Sequence, residues 1–147
     1  MVGLDGVGAK LGEVVFRDAG GGASVETKLT GLPPGVHGFH VHEKGSCGVG
    51  PDKTGKAIPA GAAGGHLDPT ATGHHEGPAG RGHLGDLPAL TVAADGTANE
   101  TLVAPRITDV SALKGHTLMI HVGGDNYSDT PDPLGGGGAR MACGVIG

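Results

Sequence analysis

The chain has 147 residues and a formal net charge of −5, with 32 glycines, 10 prolines, two phenylalanines, one tyrosine and no tryptophan. A length of this order predicts one domain, residues 1–147, with a modest core built largely without aromatic side chains. The acidic balance argues against non-specific nucleic-acid binding. No apolar run approaches the length of a membrane span, so no membrane partner is expected.

In chain order, residues 11–16 and 24–29 read as strands separated by the turn-rich Ala19-Gly20-Gly21-Gly22. Residues 36–41 read as a third strand. Residues 90–93 and 97–103 read as a hairpin around the strong turn dipeptide Asp95-Gly96. Residues 117–121 and 139–146 complete the set. No segment carries a helical stripe. Many short strands between Gly-rich turns predict an all-β protein, a sandwich or a barrel.

Two long stretches, 43–87 and 123–138, fit no strand. Loops this long are uncommon in a compact domain unless they are functional or disordered. The first contains His66, His74, His75 and His83, four of the nine histidines. Metal ligation would explain how it becomes ordered.

The histidines are patterned as well as numerous. In His37-Gly38-Phe39-His40-Val41-His42, strand alternation sends His40 and His42 to one face and Phe39 and Val41 to the other. The same rule puts Leu118 and Ile120 on one face of 117–121 and Met119 and His121 on the opposite one. His40, His42 and His121 can thus form a metal site that needs one more donor. His83-x-x-Asp86, with His66 and the His74-His75 pair upstream, reads as a three-histidine, one-carboxylate zinc site. Imidazole suits copper and zinc alike. By alternation His37 faces away from His40 and His42. Cys47 and Cys143 leave two readings open on spacing alone, a disulfide or two reduced core thiols.

With these motifs in order, the chain resembles the copper–zinc superoxide dismutases of the bacterial, exported type. The resemblance rests on Gly35-Val36-His37-Gly38-Phe39-His40-Val41-His42, on Gly64-Gly65-His66-Leu67-Asp68-Pro69, on His75-Glu76-Gly77-Pro78 and on Gly82-His83-Leu84-Gly85-Asp86-Leu87-Pro88. It continues through Met119-Ile120-His121-Val122-Gly123-Gly124-Asp125-Asn126 and from Leu134 to Ile146, and so covers nearly the whole chain.

The resemblance implies an antiparallel Greek-key β-sandwich or flattened barrel with long metal-binding loops. It implies disproportionation of superoxide to dioxygen and hydrogen peroxide, with one copper and one zinc ion per chain. His40, His42, His66 and His121 would be the copper ligands. His66, His75, His83 and Asp86 would be the zinc ligands, so that His66 bridges the two metals and carries a proton in turnover. Asp125 would accept hydrogen bonds from His40 and His75. Arg140 would attract the anionic substrate, and Cys47 would be bonded to Cys143. A periplasmic or otherwise exported location and a monomer or homodimer are also implied.

No export signal precedes Gly6-Val7-Gly8, which suits a mature form or a new start at Met1. Relatives usually carry a longer first strand before that segment, so a short first edge is expected here. Two rival readings, a copper-delivery module and a zinc hydrolase, fit less well. The first should lack a copper ligand, and the second needs an open zinc position that a three-histidine, one-carboxylate shell does not leave. His74 is assigned no ligand role, and His116 reads as solvated. Asp68 reads as a turn residue before Pro69. Lys53 and Lys56 either steer the anion or are simply solvated. Gly135 to Gly138 let the backbone pass close to the copper site.

Overall fold

The computed structural model describes residues 10–52, 54–78, 80, 82–128 and 136–147, together with the backbone of Val2–Gly3. Lys53, Gly135 and the segment Gly6-Val7-Gly8 lie outside the described residues. The strands are β1 (Val2–Gly3), β2 (Gly12–Asp18), β3 (Ala23–Leu29), β4 (Gly35–His37), β5 (Phe39–His42) and β6 (Gly50–Pro51). They continue with β7 (Ala57–Ile58), β8 (Leu90–Val92), β9 (Thr101–Ala104), β10 (Thr117–His121) and β11 (Arg140–Val145). Two 3-10 turns, Gly61–Ala63 and Val110–Leu113, join the strands.

Four strands form one sheet in the order β1-β11-β10-β5, and three form another in the order β2-β3-β9. β4 pairs with β8, and β6 with β7. All these pairings are antiparallel. The described sheets do not close on one another, so the architecture is a sandwich and not a barrel.

Alternation decides what lies between the layers. In β3, Ala23, Val25, Thr27 and Leu29 are buried while Lys28 is exposed. The buried β3 residues meet Phe39 and Val41 of β5, Leu90 and Val92 of β8, and Leu118 and Ile120 of β10 in one apolar cluster. Thr27 is tolerated there because its hydroxyl donates to the carbonyls of Ala98 and Glu100, which removes the cost of an unpaired buried donor.

Two expectations are corrected. The strand read over 36–41 breaks at Gly38: β4 goes to β8, while β5 goes to β10. Gly38 donates to the Gly123 carbonyl and accepts from the His121 amide, both at 2.8 Å. The turn at Asp95-Gly96 forms, with the Ala93 amide 2.8 Å from the Thr97 carbonyl. Its arms do not form the expected hairpin, because β8 joins β4 and β9 joins β3. Long-range partners, including the Leu29–Ala98 bridge, outcompete the local pairing.

The 43–87 stretch is ordered against the free edge of β5. The Val41 amide donates to Gly85 and its carbonyl accepts from Leu67, both at 2.8 Å. Isolated bridges set His40 opposite Asp86 and His42 opposite His66. The loop thus covers an edge that would otherwise be left unpaired. Gly85 permits the approach: a Cβ there would lie 2.2 Å from the Val41 carbonyl oxygen. Cys47, near the start of the loop, is disulfide-bonded to Cys143 of β11, with Cα atoms 5.9 Å apart and 96 residues of separation. In the chain-entropy treatment a closure of that length is worth about 4–5 kcal/mol.

Candidate metal centre

β5 is buried on both faces. Phe39 and Val41 enter the core, and His40 and His42 point the other way, beneath the covering loop. Across the ladder Met119 pairs with His40 and Thr117 with His42, which places His121 farther along the same face. The β10–β11 register shifts between Ile120 and His121, where His121 comes opposite Arg140. A bulge of this kind re-aims side chains at a functional edge.

The described structure brings His40, His42, His66 and His121 together, with one potential ligand atom from each lying within 4.8 Å of the others. A second convergence contains His40, His66, His75 and Asp86. His83, expected in that second set, is buried and close, with Nδ1 3.5 Å from Asp86 Oδ1 and its ring centroid 5.1 Å from that of His66. It does not join the tightest cluster.

Hydrogen bonds fix which nitrogen each ring offers. His42 Nδ1 donates to the Gly64 carbonyl at 2.9 Å, and His121 Nδ1 to the Gly138 carbonyl at 3.1 Å. Their Nε2 atoms then face each other at 3.4 Å. Two lone pairs aimed at one another repel unless a cation sits between them. Two nitrogens on a tetrahedral metal at about 2.05 Å would be about 3.3 Å apart.

His40 Nε2 donates to Asp125 Oδ2 at 2.7 Å, leaving Nδ1 buried without a hydrogen-bond partner among the described residues. His66 Nδ1 lies 2.8 Å from Asp86 Oδ1, while its buried Nε2 has no such partner. His83 Nδ1 is likewise buried without one. Unsatisfied buried nitrogens are costly, and so many in one place fit a metal-binding set.

The electrostatics agree. Burial is the leading cause that lowers His40 to about 4, His66 to about 3 and His121 to about 4, and it drives His42 well below its ordinary value. These rings are therefore neutral, the form that binds metal. His75 is the exception. Burial opposes its charge, but Asp125 and Asp86 outweigh that and raise it to about 9. Burial works against the charge on Asp86 and Asp125 too, yet hydrogen bonds from the histidines hold both carboxyls well below the usual range. Without metal, a proton on His75 balances two buried carboxylates, and a dication could take over that role.

The Asp125 side chain is wholly buried and joins the two sets, accepting from His40 through Oδ2 and from His75 through Oδ1, both at 2.7 Å. Arg140 is half-buried and donates to the carbonyls of Ala60 and Gly64, both at 2.6 Å. With His42, His66, His121 and Gly138 it lines a cavity of about 350 Å³. Gly64 thus receives both His42 and Arg140 on one oxygen.

The remaining sequence candidates fall outside. His74 is exposed. His37 is buried and braces the site from behind, with Nδ1 2.9 Å from the His121 carbonyl and Nε2 2.8 Å from that of Pro33. His116, read as solvated, is instead partly buried and sets its Nδ1 2.7 Å from the Glu43 carbonyl. Asp68 accepts from the Thr72 and Gly73 amides, as a turn residue does. Gly137 passes close to the site: a Cβ there would lie 3.2 Å from His121 Cβ.

Two contributors carry no signal in the sequence. Arg106 donates to the carbonyls of Gly82 and His83 at 2.9 and 3.3 Å. Tyr127 contacts the loop at Gly77 and Ala89. Neither belongs to a spacing pattern, and only the fold brings them to the loop.

The family model for copper/zinc superoxide dismutase matches residues 10–146. The chain is 57% identical over 141 residues to the superoxide dismutase [Cu-Zn] of Brucella abortus, covering 96% of this chain and 81% of that one. It is 55% identical over 146 residues to the superoxide dismutase [Cu-Zn] of Escherichia coli K12, covering 99% and 84%. The solved Cu/Zn superoxide dismutase of Brucella abortus superposes with a TM-score of 0.91 at 56% identity, covering 95% of this chain and 90% of that one. The solution structure of a monomeric copper, zinc superoxide dismutase from Salmonella enterica gives a TM-score of 0.83 at 56% identity, covering 99% and 94%. With its strand-borne and loop-borne histidines meeting at His66, the chain belongs to the copper/zinc superoxide dismutase family.

Proposed function

We propose that this chain is a single-domain superoxide dismutase that converts two superoxide anions to dioxygen and hydrogen peroxide. In this reading His40, His42, His66 and His121 hold copper, and His66, His75, His83 and Asp86 hold zinc. The observation that carries it is His66: one ring nitrogen lies against Asp86 while the other is buried without a hydrogen-bond partner, and the ring takes part in both convergent sets. When bound, copper supplies the alternating one-electron chemistry and zinc a fixed positive charge.

The chain's residues do the rest. His66 Nε2 is the atom that holds a proton and hands it to reduced substrate, with solvent supplying the second proton, while Nδ1, on the Asp86 side of the ring, faces the residues that would hold zinc. Asp125 sets the rings of His40 and His75, as partners behind metal ligands do. Arg140, tethered to two carbonyls, draws the anion into the cavity. Local positive charge there must outweigh the net negative charge of the chain.

The donor set is complete within one chain, so monomer and homodimer serve equally. A periplasmic or otherwise exported location is supported by the disulfide, which suits an oxidising compartment. Among the described residues no helix is long and apolar enough to cross a membrane.

The test is superoxide consumption per bound copper after loading one equivalent each of copper and zinc. Fast turnover that disappears when copper is withdrawn is the expected result. No turnover with both sites demonstrably filled would overturn the assignment.

A further inference from the structure

Asp125 is asked to do two things at once, and a bare carboxylate in the irregular segment after β10 would be free to rotate away from either. The structure contains a device that prevents this. Tyr127 has φ +60°, a left-handed backbone that side-chain-bearing residues seldom adopt unless their surroundings impose it. Its amide donates to Asp125 Oδ1 at 2.8 Å, the same oxygen that accepts from His75 Nε2 at 2.7 Å. The other oxygen is left for His40.

Two contacts hold Tyr127 there. Its ring closes over Gly77: a Cβ on that glycine would fall 2.6 Å from Tyr127 Cβ and 2.7 Å from Cγ, so only glycine leaves room. Its hydroxyl accepts from the Ala89 amide at 2.9 Å. Gly77 is two residues from His75, and Ala89 three from Asp86. The tyrosine therefore touches the loop beside two of the four expected zinc ligands, His75 and Asp86, while its backbone grips the carboxylate that joins the two sets.

We propose that Tyr127 is a positioning residue that locks Asp125 in the one orientation serving His40 and His75 together, by clipping the 125–128 turn to the loop at Gly77 and Ala89. This rests on the metal assignment proposed above. Its consequence is that a half-exposed side chain, itself no ligand, governs how tightly zinc is retained and how the copper ligand His40 is presented.

The test uses the full chain loaded with copper and zinc. Zinc is withdrawn with a competing chelator while the visible copper band is recorded. Tyr127→Phe keeps the ring and loses one hydrogen bond, and should retain zinc about fivefold less tightly. Tyr127→Ala loses both contacts and should retain it tenfold or more less tightly. A shifted copper band is expected in the alanine variant, with the wild-type band restored by phenylalanine. A purely structural role would lower the melting temperature without moving the band.

Tyr127 is also the only tyrosine in a chain without tryptophan. Its fluorescence in the unmodified protein should therefore change as zinc leaves, a measurement that needs no variant to fold. Zinc retention within twofold of wild type in both variants, an unmoved copper band in the alanine variant, or tyrosine emission indifferent to zinc would each overturn the role of Tyr127. A wild-type chain that took up no zinc would instead remove the metal assignment, and this proposal with it.

Discussion

His40, His42 and His121 sit on β5 and β10, whereas His66, His75, His83 and Asp86 sit on the covering loop, and the two groups are positioned by different physics. Strand side chains are aimed by the ladder: Met119 opposite His40 and Thr117 opposite His42 leave little freedom, because a one-residue slip would turn Phe39 and Val41 out of the core. Loop side chains are aimed by individual tethers. These are the Val41 contacts to Gly85 and Leu67, the Asp125 bond to His75, the Arg106 grip on Gly82 and His83, and the Arg140 grip on Ala60 and Gly64. One half of the site is carried by the core, and the other is held to it at a few points. The core-borne half should therefore keep its shape without metal, while the loop-borne half should depend on it.

Zinc withdrawal tests that contrast most severely. With free zinc at about 100 times its dissociation constant, linkage predicts that removing it speeds amide exchange through residues 48–87 by about a hundredfold. Exchange in β3, β5 and β10 should stay nearly constant. Equal protection of the loop with and without zinc, read by mass spectrometry, would erase the distinction between the two halves.

Arg140 stands on the boundary, since it belongs to β11 but holds the loop. Replacing Arg140 with Ile should slow superoxide consumption about tenfold and flatten its dependence on ionic strength, because a local cation in the cavity is lost. Metal content should remain intact. An unchanged rate would mean that its grip on Ala60 and Gly64 is its whole task. Loss of zinc with the rate per copper preserved would say the same.

The smallest effect is expected at Arg106. Its guanidinium is half-buried, so two hydrogen bonds to carbonyls are worth about 1 kcal/mol after solvent screening. Arg106→Ala should raise amide exchange at residues 82–86 about fivefold and leave the strands untouched. A change spread over β3 and β9 would show that Arg106 supports the sandwich rather than the loop.

Legibility followed the same division. Residues 117–121 were readable as a strand because Leu118-Met119-Ile120 is a short apolar run of the kind a doubly buried strand carries, and the alternation that separates His40 and His42 from Phe39 and Val41 is local. The break at Gly38 was not readable, because it depends on Gly123 and His121 accepting and donating across the sheet. Nor was the separation of β8 from β9. An Asp-Gly turn encodes its own hydrogen bonds, not which strand each arm will meet.

The sequence by itself determined the all-β class, the ligand types and, through ordered motifs, the family resemblance, since all of these follow from residue identity and short-range spacing. Only the tertiary structure decided that His66 and Asp86 lie opposite His42 and His40 along the free edge of β5. It alone brought Arg106 and Tyr127 to the loop. Those pairings close distances across tens of residues, and in an irregular segment no period exists to announce them. They arise because the free edge of β5 needs partners and because buried imidazoles need acceptors, and both demands are met only once the chain has folded.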